Sequence, residues 1–186
     1  MQQVRNQVES LLKQFDFLNC LETGTIRTFT EKHESTRHIS EVIGERGTLK
    51  SLDNTPAHIK ISKEICKNAQ NVEWILTDSV EYLKKDTNKY HFVLLDSVND
   101  AEFIFEEFTN IVDRIHTGGV LMVDDSGVGV NKERLFSNYG GHVPRKGLLV
   151  NEFLLKQGAQ YDIVNGGHAT QLLLKLTPEN YKKIKA

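Results

Sequence analysis

The chain has 186 residues and a net charge of −2, from 23 Lys and Arg against 25 Asp and Glu. That length suits one domain burying roughly 70% of its unfolded surface, and the near-neutral balance supplies neither a basic field for nucleic-acid phosphates nor a polybasic membrane patch. No run approaches a membrane span, the N-terminus lacks a signal peptide's apolar core, and Cys20 and Cys66 stand alone without CxxC spacing, so a cytoplasmic protein with reduced thiols is expected.

Val4, Val8, Leu11, Leu12 and Phe15 recur at helical spacing, predicting an amphipathic helix over residues 2–15. This helix could cover a sheet or pair with a second subunit as a homodimer. An apolar run over 17–21 then reads as a strand ending at Glu22, Thr23, Gly24 and Thr25. After a polar stretch over 26–34, Ser35 and Thr36 can cap a helix to about Ile43, closed by Gly44 and Gly47.

From there a unit repeats. A strand over 48–52 ends at Asp53 and Asn54, and Thr55 with Pro56 opens a helix reaching Cys66. A strand over 72–76 ends at Thr77 and Asp78, with Ser79 as the cap of the next helix. A strand over 91–95 ends at Asp96 and Ser97, and Asp100 caps a long helix carrying Ile104, Phe108, Ile111, Val112 and Ile115 on one stripe. Gly118 and Gly119 stop that helix, and a fifth strand over 120–123 ends at Asp124 and Asp125. Residues 127–145 are glycine-rich and irregular, and 146–157 read as a helix. Strands over 161–164 and 170–176 flank Asn165-Gly-Gly167, a hairpin signal.

Five short apolar strands alternating with helices predict an α/β domain: a mostly parallel sheet with helices on both faces, closed by a C-terminal antiparallel hairpin. The whole chain reads as a single domain. Residues 1–16 form its N-terminal helix, 17–126 a ligand-binding core, 127–160 a substrate segment and 161–176 the closing hairpin.

Ligands of such sheets bind beyond the carboxyl ends of the strands. Acidic or turn-forming residues stand at all five ends: Glu22 with Gly24, Asp53, Asp78, Asp96, and Asp124 with Asp125. Capping and turn formation account for one or two of these, and five point to a binding rim. Gly24 lets the backbone approach a ligand. Asp53 can accept hydrogen bonds from vicinal hydroxyls with both oxygens. Asp78 and Ser79 offer an acceptor and a donor to a heterocycle edge. Trp74, inside its strand, reads as core, as does Cys20.

The order of Glu22-Thr-Gly24-Thr25, Asp53, Asp78-Ser79 and the closing hairpin resembles class I S-adenosylmethionine-dependent methyltransferases over nearly the whole domain, which implies a Rossmann-like, doubly wound fold. The resemblance places Glu22, Gly24 and Thr25 near the cofactor's methionine part, Asp53 and Asn54 near its ribose, and Asp78 and Ser79 near its adenine. The family's second glycine in the first turn is missing, because residues 26–34 intervene.

Asp96 paired with Asp124 and Asp125 is similar to the catechol-type O-methyltransferases, which hold a divalent cation with carboxylates after strands four and five. Hard oxygen ligands suit Mg²⁺, and such a cation would hold substrate hydroxyls and lower the pKa of one. The alternative is one aspartate beside a helix dipole, one in a turn and one solvated. The family's lysine base is absent from its usual place, where Asn99 stands.

Asp96, which would also touch the cofactor, is thus a catalytic candidate together with Asp125 and His142. His33 is a second possible base, His168 sits by the hairpin turn without an assigned role, and Arg27 and Arg145 are potential anion ligands. The reading is methyl transfer from S-adenosylmethionine to a small hydroxylated metabolite or sugar, possible with metal assistance. Two rivals remain: a silent methyltransferase-like ligand-binding domain, and a nicotinamide-dependent oxidoreductase, whose G-x-G-x-x-G turn is lacking.

Overall fold

The structure is a computed structural model that describes residues 2–29, 34–129, 145–165 and 170–186. Its elements follow in chain order: α1 (Gln2–Leu11), β1 (Leu18–Thr23), α2 (Ser35–Ile43), β2 (Gly47–Asp53), α3 (Pro56–Ile65), β3 (Val72–Leu76), α4 (Ser79–Lys85) and β4 (Tyr90–Leu95). They continue with α5 (Ala101–Ile111), β5 (Ile115–Val123), α6 (Leu148–Lys156), β6 (Asp162–Asn165), β7 (Thr170–Lys175) and α7 (Pro178–Ile184). One sheet of seven strands has the order β3-β2-β1-β4-β5-β7-β6. Its first five strands are parallel, while β7 runs antiparallel to both β5 and β6.

Strand alternation divides the core into two. Leu18, Cys20, Leu49, Phe92, Leu94, Val120 and Met122 pack against Val4, Val8 and Leu11 of α1 and Ile39 and Ile43 of α2. Leu21, Leu52, Val93, Leu95, Leu121 and Val123 face the other way, against Ile104, Phe108 and Ile111 of α5 and Val150 and Leu154 of α6. A sheet covered on both faces needs apolar residues at every position, which is why these strands read as continuous runs.

Several boundaries differ from the expectations, each for a local reason. Helix α1 stops at Leu11, not 15, and a tight turn follows in which Gln14 and Phe15 both donate their N–H to the Leu11 carbonyl. Strand β1 runs through Glu22 and Thr23, so those residues belong to the sheet and not to a turn. Gly118 and Gly119 do not end a helix. Helix α5 ends at Ile111 in a short 3-10 turn, and the glycines lie inside β5. A side chain at Gly119 would meet the carbonyls of His91 and His116 at 2.8 Å, so Gly119 lets β4 and β5 pass closely. Ser35 and Thr36 lie inside α2 and do not cap it, since the cap position is Glu34. Likewise Asp78, not Ser79, caps α4, accepting from the Glu81 N–H.

The chain starts in the middle of the sheet at β1, moves outward through β2 and β3, then returns to β4 on the other side of β1. The two connections leave in opposite directions there, opening a crevice at the carboxyl ends of β1 and β4. Asp100 caps α5 beside that crevice, its Oδ1 accepting from the N–H groups of Glu102 at 2.9 Å and Phe103 at 3.0 Å. Asp100→Ala should lower stability by about 1 kcal/mol, read from a denaturant unfolding curve with unchanged slope.

Candidate functional site

Gly24, Asp53, Asn54, Asp78, Ser79, Ser97, Val98 and Phe103 line the crevice, which encloses about 40 Å³. Gly24 is indispensable to its shape. Its φ is +81°, and a Cβ there would lie 2.4 Å from the Asp96 carbonyl oxygen. The ends of β1 and β4 can approach this closely only because no side chain intervenes. Asp53, 8% exposed, accepts from the Thr25 N–H at 3.2 Å and the Thr55 N–H at 2.8 Å. His58, one turn into α3, brings Nδ1 to 3.2 Å from the same carboxylate. The sequence reading missed that residue, although its position five after Asp53 on a helix start could have marked it. A carboxylate has about four lone-pair sites, so Asp53 keeps capacity for a ligand.

Glu22 does not face the crevice. It is fully buried and accepts from the hydroxyls of Ser35 at 2.9 Å and Ser51 at 2.6 Å, and from Thr36. It therefore ties α2 to β1 and β2 from below the rim. Thr25 joins this layer through Ser62 Oγ at 2.7 Å and Thr36 Oγ1 at 3.2 Å. A second buried carboxyl, Glu107 of α5, lies on the other side of β1. It accepts from Thr23 Oγ1 at 3.0 Å and from the Ser79 hydroxyl. Ser79 thus spends its donor inward while still lining the crevice. Burial drives both carboxyls up to about 7, more than their hydroxyl donors pull them down.

Asp96, Asp124 and Asp125 do come together, one oxygen from each lying within 4.8 Å of the others. Asp125 is the only non-glycine residue with positive φ among the described residues, at +45°. That conformation is costly for a residue with a Cβ and commoner in Asp than in most, and it turns the chain directly after β5. Asp124 is pushed up to about 6, by burial first and then by Asp96 and Asp125. Its Oδ1 accepts from Gln171 Nε2 at 2.7 Å.

The cluster also contains a cation that the sequence reading overlooked. Lys146 bonds through Nζ to Asp96 Oδ1 and lies 3.7 Å from Asp125 Oδ2. Burial pulls its pKa down, but the neighbouring aspartates together outweigh this and the net direction is up, so it stays an ammonium. Asn99, standing where the family's lysine would be, accepts from the Arg145 N–H at 3.0 Å and so helps tether the segment that brings Lys146 in. A divalent cation would have to displace this ammonium. With Lys146 in place, the three carboxylates do not fit one, because its ammonium already engages Asp96 and Asp125 and would repel a second cation.

Arg27 donates through Nη2 to the carbonyl oxygens of Asp96, at 2.7 Å, and Ser97, a strap from just after β1 to the end of β4 beside the crevice. Arg145 reaches Asp100 at 3.9 Å on the exposed side. His142, His33 and His168 lie outside the described residues, as does much of the expected substrate segment. Cys20 and Cys66 are free and buried, with both thiols raised by burial, Cys66 to about 12, which makes them poor nucleophiles. Trp74 is half-buried, its Nε1 donating to Ser62. A larger groove of about 800 Å³ runs between α2 and the end of α3, past Gly47, Thr48 and Asn71 at the strand starts. The small crevice is the better functional candidate, since it gathers the glycine, the carboxylates and the strand ends.

No protein-family model and no curated protein matches this chain. Solved structures do share its fold. An O-methyltransferase from Bacillus cereus in complex with SAH superposes with a TM-score of 0.64 at 15% identity, over 94% of this chain and 80% of that one. The N-methyltransferase NodS from Bradyrhizobium japonicum WM9 gives 0.59 at 16% identity over 92% of each chain. An rRNA methylase from Streptococcus thermophilus gives 0.64 at 11% identity, over 94% of this chain and 95% of that one. What is shared at these identities is the class I methyltransferase fold, and three differently named relatives show that the fold alone does not select an acceptor.

The two buried carboxyls carry a pH signature. Their folded-state values lie near 7 against an ordinary 4.5, so between those values the folded chain binds protons that the unfolded chain has released. Stability therefore falls as pH rises through that window. Melting temperature should decline across it, and Glu107→Gln should flatten the decline. An equally steep decline in folded E107Q would remove Glu107 as a source.

Proposed function

We propose that the protein is an S-adenosylmethionine-dependent methyltransferase that acts on a hydroxyl group of a small metabolite or sugar in the cytoplasm. The observation that carries this reading is the crevice between β1 and β4 in a sheet of this strand order, bordered by Gly24 and by Asp53 at the end of β2. Asp53 and Asn54 would hold the ribose, Asp78 and Ser79 would flank the adenine, and Gly24 with Thr25 would face the methionine part. The bound cofactor supplies a methyl group on a sulfonium sulfur, which leaves as a neutral thioether.

The chain's own contribution is positioning and proton handling. The acceptor oxygen would stand beside Asp96 and Asp125, and a carboxylate oxygen of one of them would take the hydroxyl proton as the O–C bond forms. Holding the reacting groups in line accounts for much of such a catalyst's effect. A net charge of −2 favours a small acceptor over a nucleic acid.

A second reading rests on the crevice being small. Cofactor pockets span roughly 300–1,000 Å³, and the Arg27 strap must shift before this one reaches that size. A domain whose strap never opens would be a silent relative of the enzymes.

Calorimetric titration with S-adenosylhomocysteine separates the two. Wild-type protein should bind it, and Asp53→Ala should weaken binding by about 1–3 kcal/mol, the scale of a lost hydrogen bond to a charged group. No heat of binding to folded wild-type protein would rule out the methyltransferase reading.

A further inference from the structure

We propose that the ammonium of Lys146 takes the place of a divalent cation at the Asp96–Asp124–Asp125 rim, making this a metal-independent site centred on a lysine. The inference rests on the methyltransferase reading for its purpose, though not for its geometry.

Three features of the structure carry it. The first is charge. Three carboxylates at neighbouring strand ends repel one another unless bridged, and Lys146 supplies the bridge between Asp96 and Asp125, while the Gln171 amide serves Asp124. The second is burial. Lys146 is 4% exposed, and lysine is almost never buried to that degree unless paired.

The third is anchoring on both sides. Arg145 is fixed to Asn99 in the loop after β4. Gly147 donates its N–H to the Ser126 carbonyl at 3.0 Å, just past β5. A Cβ on Gly147 would sit 2.7 Å from that of Ser126, so only glycine permits so close a contact. Ser126 is itself held by Thr170 of β7, through N–H to carbonyl at 2.8 Å and hydroxyl to hydroxyl at 2.9 Å. Lys146 is therefore the middle residue of a clamp that joins the loop after β4 to the end of β5. These contacts fix the backbone from which the Lys146 side chain reaches the aspartates.

The chemical consequence concerns the acceptor. A divalent cation can chelate two oxygens of a vicinal diol, whereas each N–H of an ammonium serves one acceptor. A lysine-centred site would hold an isolated hydroxyl as readily as one of a pair.

The test is divalent-cation binding, measured by electron paramagnetic resonance titration of Mn²⁺ and by melting temperature with and without Mn²⁺. It compares wild-type protein with Lys146→Met, which keeps the length and removes the charge. Wild-type protein should bind Mn²⁺ weakly and melt at the same temperature in its presence. Lys146→Met should bind at least about tenfold more tightly, since an opposing charge has left three carboxylates, and its melting temperature should rise with Mn²⁺ by linkage.

Tight stoichiometric Mn²⁺ binding by wild-type protein would overturn the proposal. So would a Lys146→Met variant, folded or marginal, that gains neither Mn²⁺ affinity nor stability from the ion. Titration of S-adenosylhomocysteine into the same preparations reports separately on the methyltransferase reading, which can fail while the Mn²⁺ result stands.

Discussion

A sheet that is covered on both faces steers most of its polar chemistry to the ends of its strands, and much of this structure follows from that constraint. Phe92 and Leu94 fill one core while Val93 and Leu95 fill the other. Charged side chains inside the strands, such as Lys50 of β2 and Glu73 of β3, take less covered positions, and the acidic cluster falls at the strand ends. The crevice between β1 and β4 is where the connections part, and the carboxylates of the rim converge around it.

Gathering so many acids in one place has an electrostatic cost, and the structure offsets it differently at each depth. Below the rim, Glu22 and Glu107 are fully buried, ringed by hydroxyls and raised towards neutrality. At the rim, Asp53 is held by two backbone N–H groups and His58. Beside it, Asp96 and Asp125 share an ammonium. Below the rim the partners are hydroxyls, and at the rim they are backbone N–H groups, an imidazole and an ammonium. The hydroxyl layer also has a mechanical role, since Ser35, Thr36 and Ser51 fasten α2 and β2 to the strand that carries Gly24.

Much of the fold is legible in the residues. The parallel strands are continuous apolar runs, the Asp100 cap sits where the helical stripe starts, and β6 and β7 flank a strong turn signal. Boundaries are less legible where two uses of a residue compete. Ser35 and Thr36 have the chemistry of caps but lie in α2, bonded to a buried carboxylate, and Gly118 with Gly119 resemble a helix stop but lie inside β5, where Gly119 serves close strand passage. Glu22 looks like a rim residue because it precedes a glycine turn. Strand β1 simply runs two residues further, turning that side chain inward.

By itself the sequence determined the alternation of strands and helices, and with it most of the residues that stand at the strand ends. Those properties depend on local periodicity and on chemistry between near neighbours. Only the tertiary structure decided what neutralises the paired aspartates after β5, because Lys146 lies 50 residues beyond Asp96 in the chain and reaches it through a clamp of backbone contacts to Asn99 and Ser126. Proximity across that separation is a product of packing. Asn99, three residues after Asp96, helps fasten the segment that brings the lysine in.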